Sequence, residues 1–269
     1  MNGFEKLENI IKGCGKVAVA FSGGVDSTFL VCFARKVLGA GNVIAVTAVA
    51  PNFARDEIEY AKKLCDELGI AHRCEPIELP CLFWQNPEDR CYHCKKSIFS
   101  DLISKLPEGF VFCDGSNADD LKDYRPGSKA AKELGVRSPL EEAGLTKKEI
   151  RKGLKEMNIS IWDKPAFACL ASRIPYNTEI TENMLAAVYV LESMLRDRGF
   201  TQLRARLEGE KVRFELMPNE IPKLLEDEAL LSMLKAKAEE FGYREIKVDP
   251  RGYRMGSLND AIKKGEQEN

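Results

Sequence analysis

A short string of small and polar residues, 22–27 (SGGVDS), directly follows an apolar run at 16–21. A glycine turn between a strand and a helix points its backbone N–H groups toward a ligand at the helix N-terminus. This is the positive end of the helix dipole, where anions bind. The string lacks the lysine of a Walker A loop, which reaches the β- and γ-phosphates. It therefore favours bound or leaving pyrophosphate, with the chemistry at an α-phosphate. The predicted nucleotide-binding residues of this turn are Ser22, Gly23, Gly24, Asp26 and Ser27.

A second polar segment, 114–120 (DGSNADD), follows another short apolar run. Carboxylates and phosphate oxygens are the ligands that Mg²⁺ prefers, so Asp119 or Asp120 is a candidate Mg²⁺ ligand beside the nucleotide. Gly115 completes the predicted nucleotide contacts here. A plain helix N-cap is the open alternative for the segment, because Asp and Asn both cap well.

Three cysteines in two segments form the third constellation. Cys91 and Cys94 make a C-x-x-C at the entry to a predicted helix, and Cys169 lies in the string KPAFACLASRIPY. Three thiolates suit an iron–sulfur cluster that keeps one iron open. Zinc bound by these cysteines and His93 is a rival interpretation, as is thioredoxin-like redox use of the pair, which would leave Cys169 unexplained.

Apolar runs of strand length alternate with segments of helical periodicity in the first two thirds of the chain. The predicted strands are 16–21, 42–50, 71–79 and 110–113, and the predicted helices are 26–38, 54–68 and 95–106. This alternation predicts an α/β fold with a doubly wound parallel sheet. Ligands bind beyond the carboxyl ends of such strands, and both polar segments fall at that edge.

Beyond about residue 176 the order of elements changes to α-β-β-α-β. The predicted elements are a helix at 181–198, a hairpin at 202–207 and 211–216, a helix at 229–241 and a strand at 244–248. We expect an ATP-binding domain at 1–176, which carries the cysteine site. A smaller α+β domain at 177–269 is expected to serve substrate binding or assembly.

The composition excludes several classes of protein. The 269 residues include 40 basic and 42 acidic side chains, for a net charge of −2, which gives no global attraction to nucleic acid or an anionic membrane. No apolar run approaches the roughly 20 residues needed to cross a bilayer, and the first residues lack a secretory pattern. We expect a cytoplasmic protein with no membrane or nucleic-acid partner.

The SGGVDS string resembles the pyrophosphate loop (PP-loop) of the ATP-pyrophosphatase superfamily, whose members adenylate substrates. The segments 114–151 and 162–176 and the ending VDPRGYRMGSLND (248–260) resemble one branch, the ATP-dependent sacrificial sulfur transferases (LarE). The resemblance implies the PP-loop fold, bound ATP and Mg²⁺, and assembly as a homo-oligomer. It also implies adenylation of a carboxylate of a pyridinium dicarboxylate mononucleotide, conversion to a thiocarboxylate, and supply of a nickel-pincer nucleotide cofactor.

Two versions of this chemistry occur in the family. In one, a single cysteine attacks and loses its sulfur; Cys169 matches it by its CLASRIPY context. In the other, that cysteine and two more hold a [4Fe-4S] cluster, and a sulfide on the open iron is transferred. Because Cys91 and Cys94 supply the extra pair, we favour the cluster version. The open alternative is that the pair is incidental and Cys169 acts alone.

Cations are expected where adenylation builds negative charge. Lys164 and Arg173 flank Cys169 and are the candidates, with solvated surface charge as the alternative. For the phosphorylated, carboxylate-rich substrate the candidates are Arg204, Arg206 and Arg213, because guanidinium groups bind both kinds of anion. A salt-bridged hairpin face is the alternative for these three.

Three other functions compete with sulfur transfer to a small molecule. A tRNA thiolase shares the loop but should carry a basic surface or an RNA-binding domain, which this chain lacks. A non-catalytic nucleotide sensor with structural zinc would contain zinc without iron. A synthetase that uses ammonia would not need Cys169.

Overall fold

The computed structural model describes residues 2–122, 126–165 and 168–254. The chain divides into two compact units, residues 1–167 and 168–269. Each unit is described by itself.

The first unit is built on a four-stranded, all-parallel sheet. Its strands are β1 (Val17–Ala20), β2 (Val43–Val49), β3 (Ala71–Pro76) and β4 (Val111–Cys113), in the order β3-β2-β1-β4. Val17 pairs with Val43 on one side and with Val111 on the other, so β1 is a central strand. Its nearly continuous apolar sequence suits a strand covered on both faces. The predicted α/β class with a parallel sheet is confirmed.

Eight helices belong to the described part of this unit. They are α1 (Gly3–Cys14), α2 (Val25–Leu38), α3 (Arg55–Leu68), α4 (Cys81–Gln85), α5 (Arg90–Ser104), α6 (Pro126–Glu133), α7 (Pro139–Glu142) and α8 (Lys147–Glu156). Short 3₁₀ turns occur at Ala40–Asn42, Ala118–Lys122 and Ser160–Asp163. Helix α5 begins at Arg90 rather than at the predicted Lys95, so both cysteines of the C-x-x-C lie within its first turns.

The core of the first unit places α2 between the sheet and α8. Phe29 on α2 and Leu154 on α8 are fully buried in the same apolar cluster as the central strand. The two helices approach closely at Gly153: a Cβ atom at that position would lie 2.5 Å from the Phe29 ring. Because α8 also carries residues of the candidate site, its packing on α2 sets the position of that site.

The second unit has a three-stranded mixed sheet with helices α9 (Glu182–Asp197), α10 (Ile221–Glu226) and α11 (Glu228–Glu240). Its strands are β5 (Arg204–Glu208), β6 (Lys211–Glu215) and β7 (Glu245–Val248). β6 is the middle strand, antiparallel to β5 and parallel to β7. The β5–β6 turn contains Gly209 at φ +59°, a left-handed conformation that glycine adopts without strain. A 3₁₀ turn at Leu170–Arg173 follows Cys169.

Within the parts of the chain that the structure covers, no helix is both long enough and apolar enough to cross a bilayer.

Replacing Gly153 with alanine should destabilise the protein. The new methyl group must displace the Phe29 ring, and such overpacking costs about 1–3 kcal/mol. Gly13→Ala is the matched control, because Gly13 is also within a helix and a Cβ atom there would meet none of the described neighbours within 4 Å. Alanine should stabilise that position by up to about 1 kcal/mol. The urea concentration at the midpoint of unfolding should fall in Gly153→Ala and rise in Gly13→Ala. Equal shifts of the two midpoints would contradict the close packing of α8 on α2.

Candidate nucleotide site and cysteine helix

Serine hydroxyls close the glycine turn between β1 and α2. Ser27 Oγ donates to the Gly24 carbonyl at 3.2 Å and lies 3.3 Å from Ser22 Oγ. Gly23 has φ +66°, and a Cβ atom there would lie 3.2 Å from the side chain of Ala61 on α3. The turn is thus held by its own side chains with α3 packed against it, and it leads directly into the N-terminus of α2.

The segment after β4 packs on the same helix N-terminus. A Cβ atom at Gly115 would lie 3.0 Å from the backbone nitrogen of Ser27, so any larger residue would require the backbone to shift. β4 is the parallel neighbour of β1, so the two loops leave the sheet at the same edge. The structure therefore brings together the two segments that the sequence assigned to the nucleotide.

Asp26 is a largely buried carboxylate in the first turn of α2. Its Oδ2 accepts a hydrogen bond from Lys147 Nζ. Its Oδ1 is buried and has no hydrogen-bond partner among the residues that the structure describes. Burial raises the pKa of Asp26 above its usual value, against the opposing effect of Lys147, and the nearby charge of Asp120 adds to the rise. A buried carboxylate oxygen without a donor fits a cation such as Mg²⁺.

The N-terminus of α8 completes this cluster. Thr146 caps the helix, with reciprocal hydrogen bonds to Glu149, and the backbone nitrogen of Lys147 donates to Asp119 Oδ2 at 2.9 Å. Asp120 Oδ2 accepts from the backbone nitrogen of Asn117 at 3.1 Å, which is a local capping contact. Asp119 therefore lies at the N-terminus of α8, where the helix dipole favours a negative charge. The alternative that this segment is a helix cap applies to Asp120, which caps its own turn.

Lys164 lies against the glycine turn. Its Nζ donates to the Gly23 carbonyl at 3.3 Å and forms a 2.7 Å ion pair with Glu57 on α3. The ammonium also sits 3.7 Å from the centre of the Tyr60 ring. The structure thus places this candidate cation at the glycine turn. A phosphate bound there would compete with Glu57 for the Lys164 ammonium.

Arg173 has a different environment, in the interior of the second unit. Its side chain is 1% exposed and forms a two-pronged ion pair with the equally buried Glu192. Its Nη1 donates to the carbonyl oxygens of Ala168 and Cys169 at 2.8 and 3.0 Å. This arrangement orients the Cys169 backbone, and the predicted role of Arg173 at an α-phosphate stays a prediction.

The three arginines of the β5–β6 hairpin differ in their surroundings. Arg206 pairs with the buried Glu215, and Arg213 pairs with Glu208, Glu215 and Asp249. Arg206 and Arg213 thus form the salt-bridged hairpin face that was the alternative to substrate binding. Arg204 stacks its guanidinium 5.0 Å from the Tyr253 ring. Burial and the charge of Arg173 lower the pKa of Arg204 to about 10.

The C-x-x-C pair lies at the carboxyl edge of the parallel sheet. Cys94 is buried, and its Sγ is 4.0 Å from Nδ2 of Asn52, a buried residue in the segment that follows β2. Cys91 is exposed one turn earlier on α5, and Cys169 is half-buried in the second unit. Over residues 2–122, 126–165 and 168–254, no three Cys, His, Asp or Glu side chains are arranged to hold a metal ion.

Comparison with known proteins agrees with this arrangement. The NAD synthase family model matches residues 5–97, which include the glycine turn and the C-x-x-C. The chain is 40% identical to an uncharacterized protein of Synechocystis sp., over 96% of this chain and 98% of that one. It is 34% identical to the pyridinium-3,5-bisthiocarboxylic acid mononucleotide synthase of Lactiplantibacillus plantarum, over 95% of this chain and 93% of that one. The chain belongs to the LarE family.

LarE membership makes the chain an ATP-dependent, adenylating sulfur transferase with a PP-loop. An NH₃-dependent NAD⁺ synthetase of Thermococcus kodakarensis is 36% identical over 66 residues, only 24% of each chain. That likeness covers about a quarter of each chain, whereas the LarE likeness extends over 95% of this chain.

Three residues of the candidate site had no role assigned from the sequence: Lys147, Asn52 and Asp114. The string TKKE at 146–149 is a capping-box signal for a helix start. It predicts the helix but not the pairing of Lys147 with Asp26, which lies 121 residues away in the chain. Asp114 directly follows β4 and Asn52 lies three residues beyond the end of β2, in the segments that leave the ligand edge of the sheet.

Replacing Lys147 with methionine should weaken binding of MgATP by at least about tenfold. The change removes the cation beside Asp26, and a hydrogen bond to a charged group contributes about 1.5–3 kcal/mol. Lys148→Met is the control, because the neighbouring Lys148 is exposed on α8. Isothermal titration with a non-hydrolysable ATP analogue and Mg²⁺ measures both. Equal affinities in the two variants would remove Lys147 from the nucleotide site.

Proposed function

We propose that this LarE protein uses ATP to convert a carboxylate of a pyridinium dicarboxylate mononucleotide into a thiocarboxylate, for synthesis of a nickel-pincer nucleotide cofactor. The observation that carries the proposal is the 34% identity, over nearly the whole of both chains, to a pyridinium-3,5-bisthiocarboxylic acid mononucleotide synthase. The glycine turn and its cluster of carboxylates and lysines supply the support from this chain's own residues.

The first step is adenylation. A substrate carboxylate oxygen attacks the α-phosphorus of ATP, the bond to the bridging oxygen breaks, and pyrophosphate leaves. The turn at 22–27 offers backbone N–H groups and two serine hydroxyls to the pyrophosphate. Lys147 and Lys164 are the cations beside that turn, and Asp26 offers a carboxylate oxygen to Mg²⁺. These groups oppose the negative charge that develops during the displacement.

The second step is sulfur transfer. A sulfur nucleophile attacks the carbonyl carbon of the acyl adenylate, and AMP leaves with the bonding electrons. The half-buried Cys169 is the residue that the family context assigns to this step. Arg173, which holds the carbonyl of Cys169, is a positioning residue for it. We propose that the hairpin arginines Arg204, Arg206 and Arg213 serve the phosphate and carboxylates of the substrate, because guanidinium groups bind both kinds of anion.

We further propose that Cys91, Cys94 and Cys169 hold a [4Fe-4S] cluster. The i, i+3 spacing puts the first two sulfurs on one face of α5, and the Asn52 amide beside Cys94 Sγ supplies an N–H group of the kind that tunes cluster sulfurs. When bound, the cluster would supply a transferable sulfide at its open iron. In the alternative, the Cys169 thiolate attacks the acyl adenylate directly, and elimination then leaves dehydroalanine.

A cytoplasmic location and self-assembly into an oligomer remain predictions from the sequence.

Replacing Asp26 with asparagine should slow ATP-dependent pyrophosphate release by at least about a hundredfold, the cost of losing one electrostatic contact in a transition state. The fold should survive, because burial raises the pKa of Asp26 and the native state therefore disfavours its ionised form. The wild type should lose stability relative to the variant as the pH rises from about 4 through the raised pKa. A folded variant that releases pyrophosphate at the wild-type rate would refute the role of Asp26.

Anaerobically purified protein should contain about four iron atoms and about four labile sulfides per chain. Cys91→Ser, Cys94→Ser and Cys169→Ser should each lose iron, whereas Cys81→Ser, at an exposed cysteine on α4, should keep it. Thiocarboxylate formation should fall with the iron.

Iron-free protein whose Cys169 loses one sulfur during turnover, measured by intact mass, would establish the sacrificial route instead. Zinc without iron would favour the sensor, and an amide product made by Cys169→Ser would favour an ammonia-using synthetase.

A further inference from the structure

Two adjacent lysines on the cysteine helix α5 pair with carboxylates in different parts of the first unit. Lys95 Nζ lies 2.8 Å from Asp114 Oδ2, next to the loop that packs on the glycine turn. Lys96 Nζ lies 2.8 Å from Glu133 Oε2 on α6. The Asp114 side chain is 6% exposed, whereas that of Glu133 is 36% exposed. The first pair is therefore an internal contact and the second a surface one.

Asp114 is surrounded by donors. Its Oδ2 accepts from Lys95 Nζ and from Ser116 Oγ at 3.0 Å, and its Oδ1 accepts from Ser138 Oγ at 2.7 Å and from the Ser116 backbone nitrogen at 3.2 Å. Burial by itself raises the pKa of this carboxyl, but Lys95 and the serine donors outweigh it and hold the pKa below its usual value. Asp114 is thus an ionised, fully hydrogen-bonded anchor.

The anchor is continuous with the nucleotide turn. Gly115 follows Asp114 directly, and its Cα faces the backbone of Ser27 so closely that a Cβ would lie 3.0 Å from the Ser27 nitrogen. Asp114 keeps the three serine donors when Lys95 is removed, and these hold this loop on the N-terminus of α2.

The other end of the pair is fixed on α5. The Lys95 ammonium lies 4.8 Å from the centre of the Phe99 ring, one turn along the helix. The Lys95 stem packs on α6 at Gly127, where a Cβ would lie 3.1 Å from Lys95 Cδ. Cys94, which carries one of the proposed sulfur ligands, is the residue directly before Lys95.

We infer that the Lys95–Asp114 ion pair is a positioning device that fixes the cysteine helix against the nucleotide turn. The inference rests on the proposed function, because it concerns the alignment of the sulfur donor with the adenylated carboxylate. Reacting atoms must approach to about 3–3.5 Å, and a misplacement of about 1 Å can cost about a hundredfold in rate. The pair is therefore expected to affect sulfur transfer much more than adenylation.

The test compares Lys95→Met with Lys96→Met, which is the same change one residue along the same helix. Methionine keeps an apolar stem against Phe99 and Gly127 and removes the ammonium. Lys95→Met should lower single-turnover thiocarboxylate formation by about 10- to 100-fold and leave ATP–pyrophosphate exchange within about twofold of the wild type. Hydrogen exchange of the amides at 90–96 should accelerate. Lys96→Met should change none of the three measurements.

Asp114→Asn and the double variant decide whether Lys95 acts through Asp114. A positioning pair predicts that Asp114→Asn, Lys95→Met and the double variant lose the same factor, since each breaks the same contact. A much larger loss in Lys95→Met than in Asp114→Asn would make Lys95 itself the reacting group and overturn the inference. So would an equal loss of exchange and transfer in Lys95→Met, or unchanged hydrogen exchange at 90–96.

The same measurements separate the inference from the proposed function. If the wild type forms no thiocarboxylate, the proposed function fails, and hydrogen exchange alone still tests the ion pair. If the wild type forms it and Lys95→Met forms it equally fast, only the inference fails. Should Asp114→Asn not fold, Lys95→Met and Lys96→Met carry the comparison without it.

Discussion

Parallel pairing of β1 with β2 on one side and β4 on the other is the constraint on which the site in the first unit depends. It forces the segments after these three strands to leave the sheet at one edge. Those segments contain the glycine turn after β1, Asn52 after β2, and Asp114 with Gly115 after β4. Residues far apart in sequence thereby converge without any of them needing a side chain that reaches across the sheet.

Two aspartates at this edge, the buried Asp114 and the partly buried Asp26, differ in the number of hydrogen-bond donors around them. Both are desolvated, which disfavours a charged carboxylate. Asp114 has four donor contacts, and its pKa lies below the usual value. Asp26 has Lys147 on one oxygen and a buried second oxygen without a donor in the described parts of the chain, and its pKa is raised. The fold thus stabilises the ionised form of Asp114 but leaves Asp26 to be completed by a cation.

The pattern of the sequence predicted the sheet well, because strand and helix periods alternate clearly in the first unit. The predicted strand at 42–50 is Val43–Val49 in the structure, and the predicted helix at 54–68 is Arg55–Leu68. The lysines of the site were harder to predict. Lys164 was proposed for its nearness to Cys169 in sequence, yet it contacts Gly23 and Glu57, which lie far from it along the chain. Long side chains reach partners that depend on tertiary packing, and no local period encodes such contacts.

Three consecutive residues of the cysteine helix α5, 94–96, contact three different parts of the first unit. Cys94 contacts Asn52 after β2, Lys95 contacts Asp114 after β4, and Lys96 contacts Glu133 on α6. The exposed Lys96–Glu133 pair is screened by solvent, whereas loss of Lys95 would leave the buried Asp114 carboxylate without its cation. The Lys95–Asp114 pair therefore fixes α5 at the ligand edge of the sheet, in addition to the packing of the helix on α6. The helix that carries the C-x-x-C pair is in this way tied to the same strands that hold the nucleotide turn, so the fold of the first unit sets the distance between the pair and the turn.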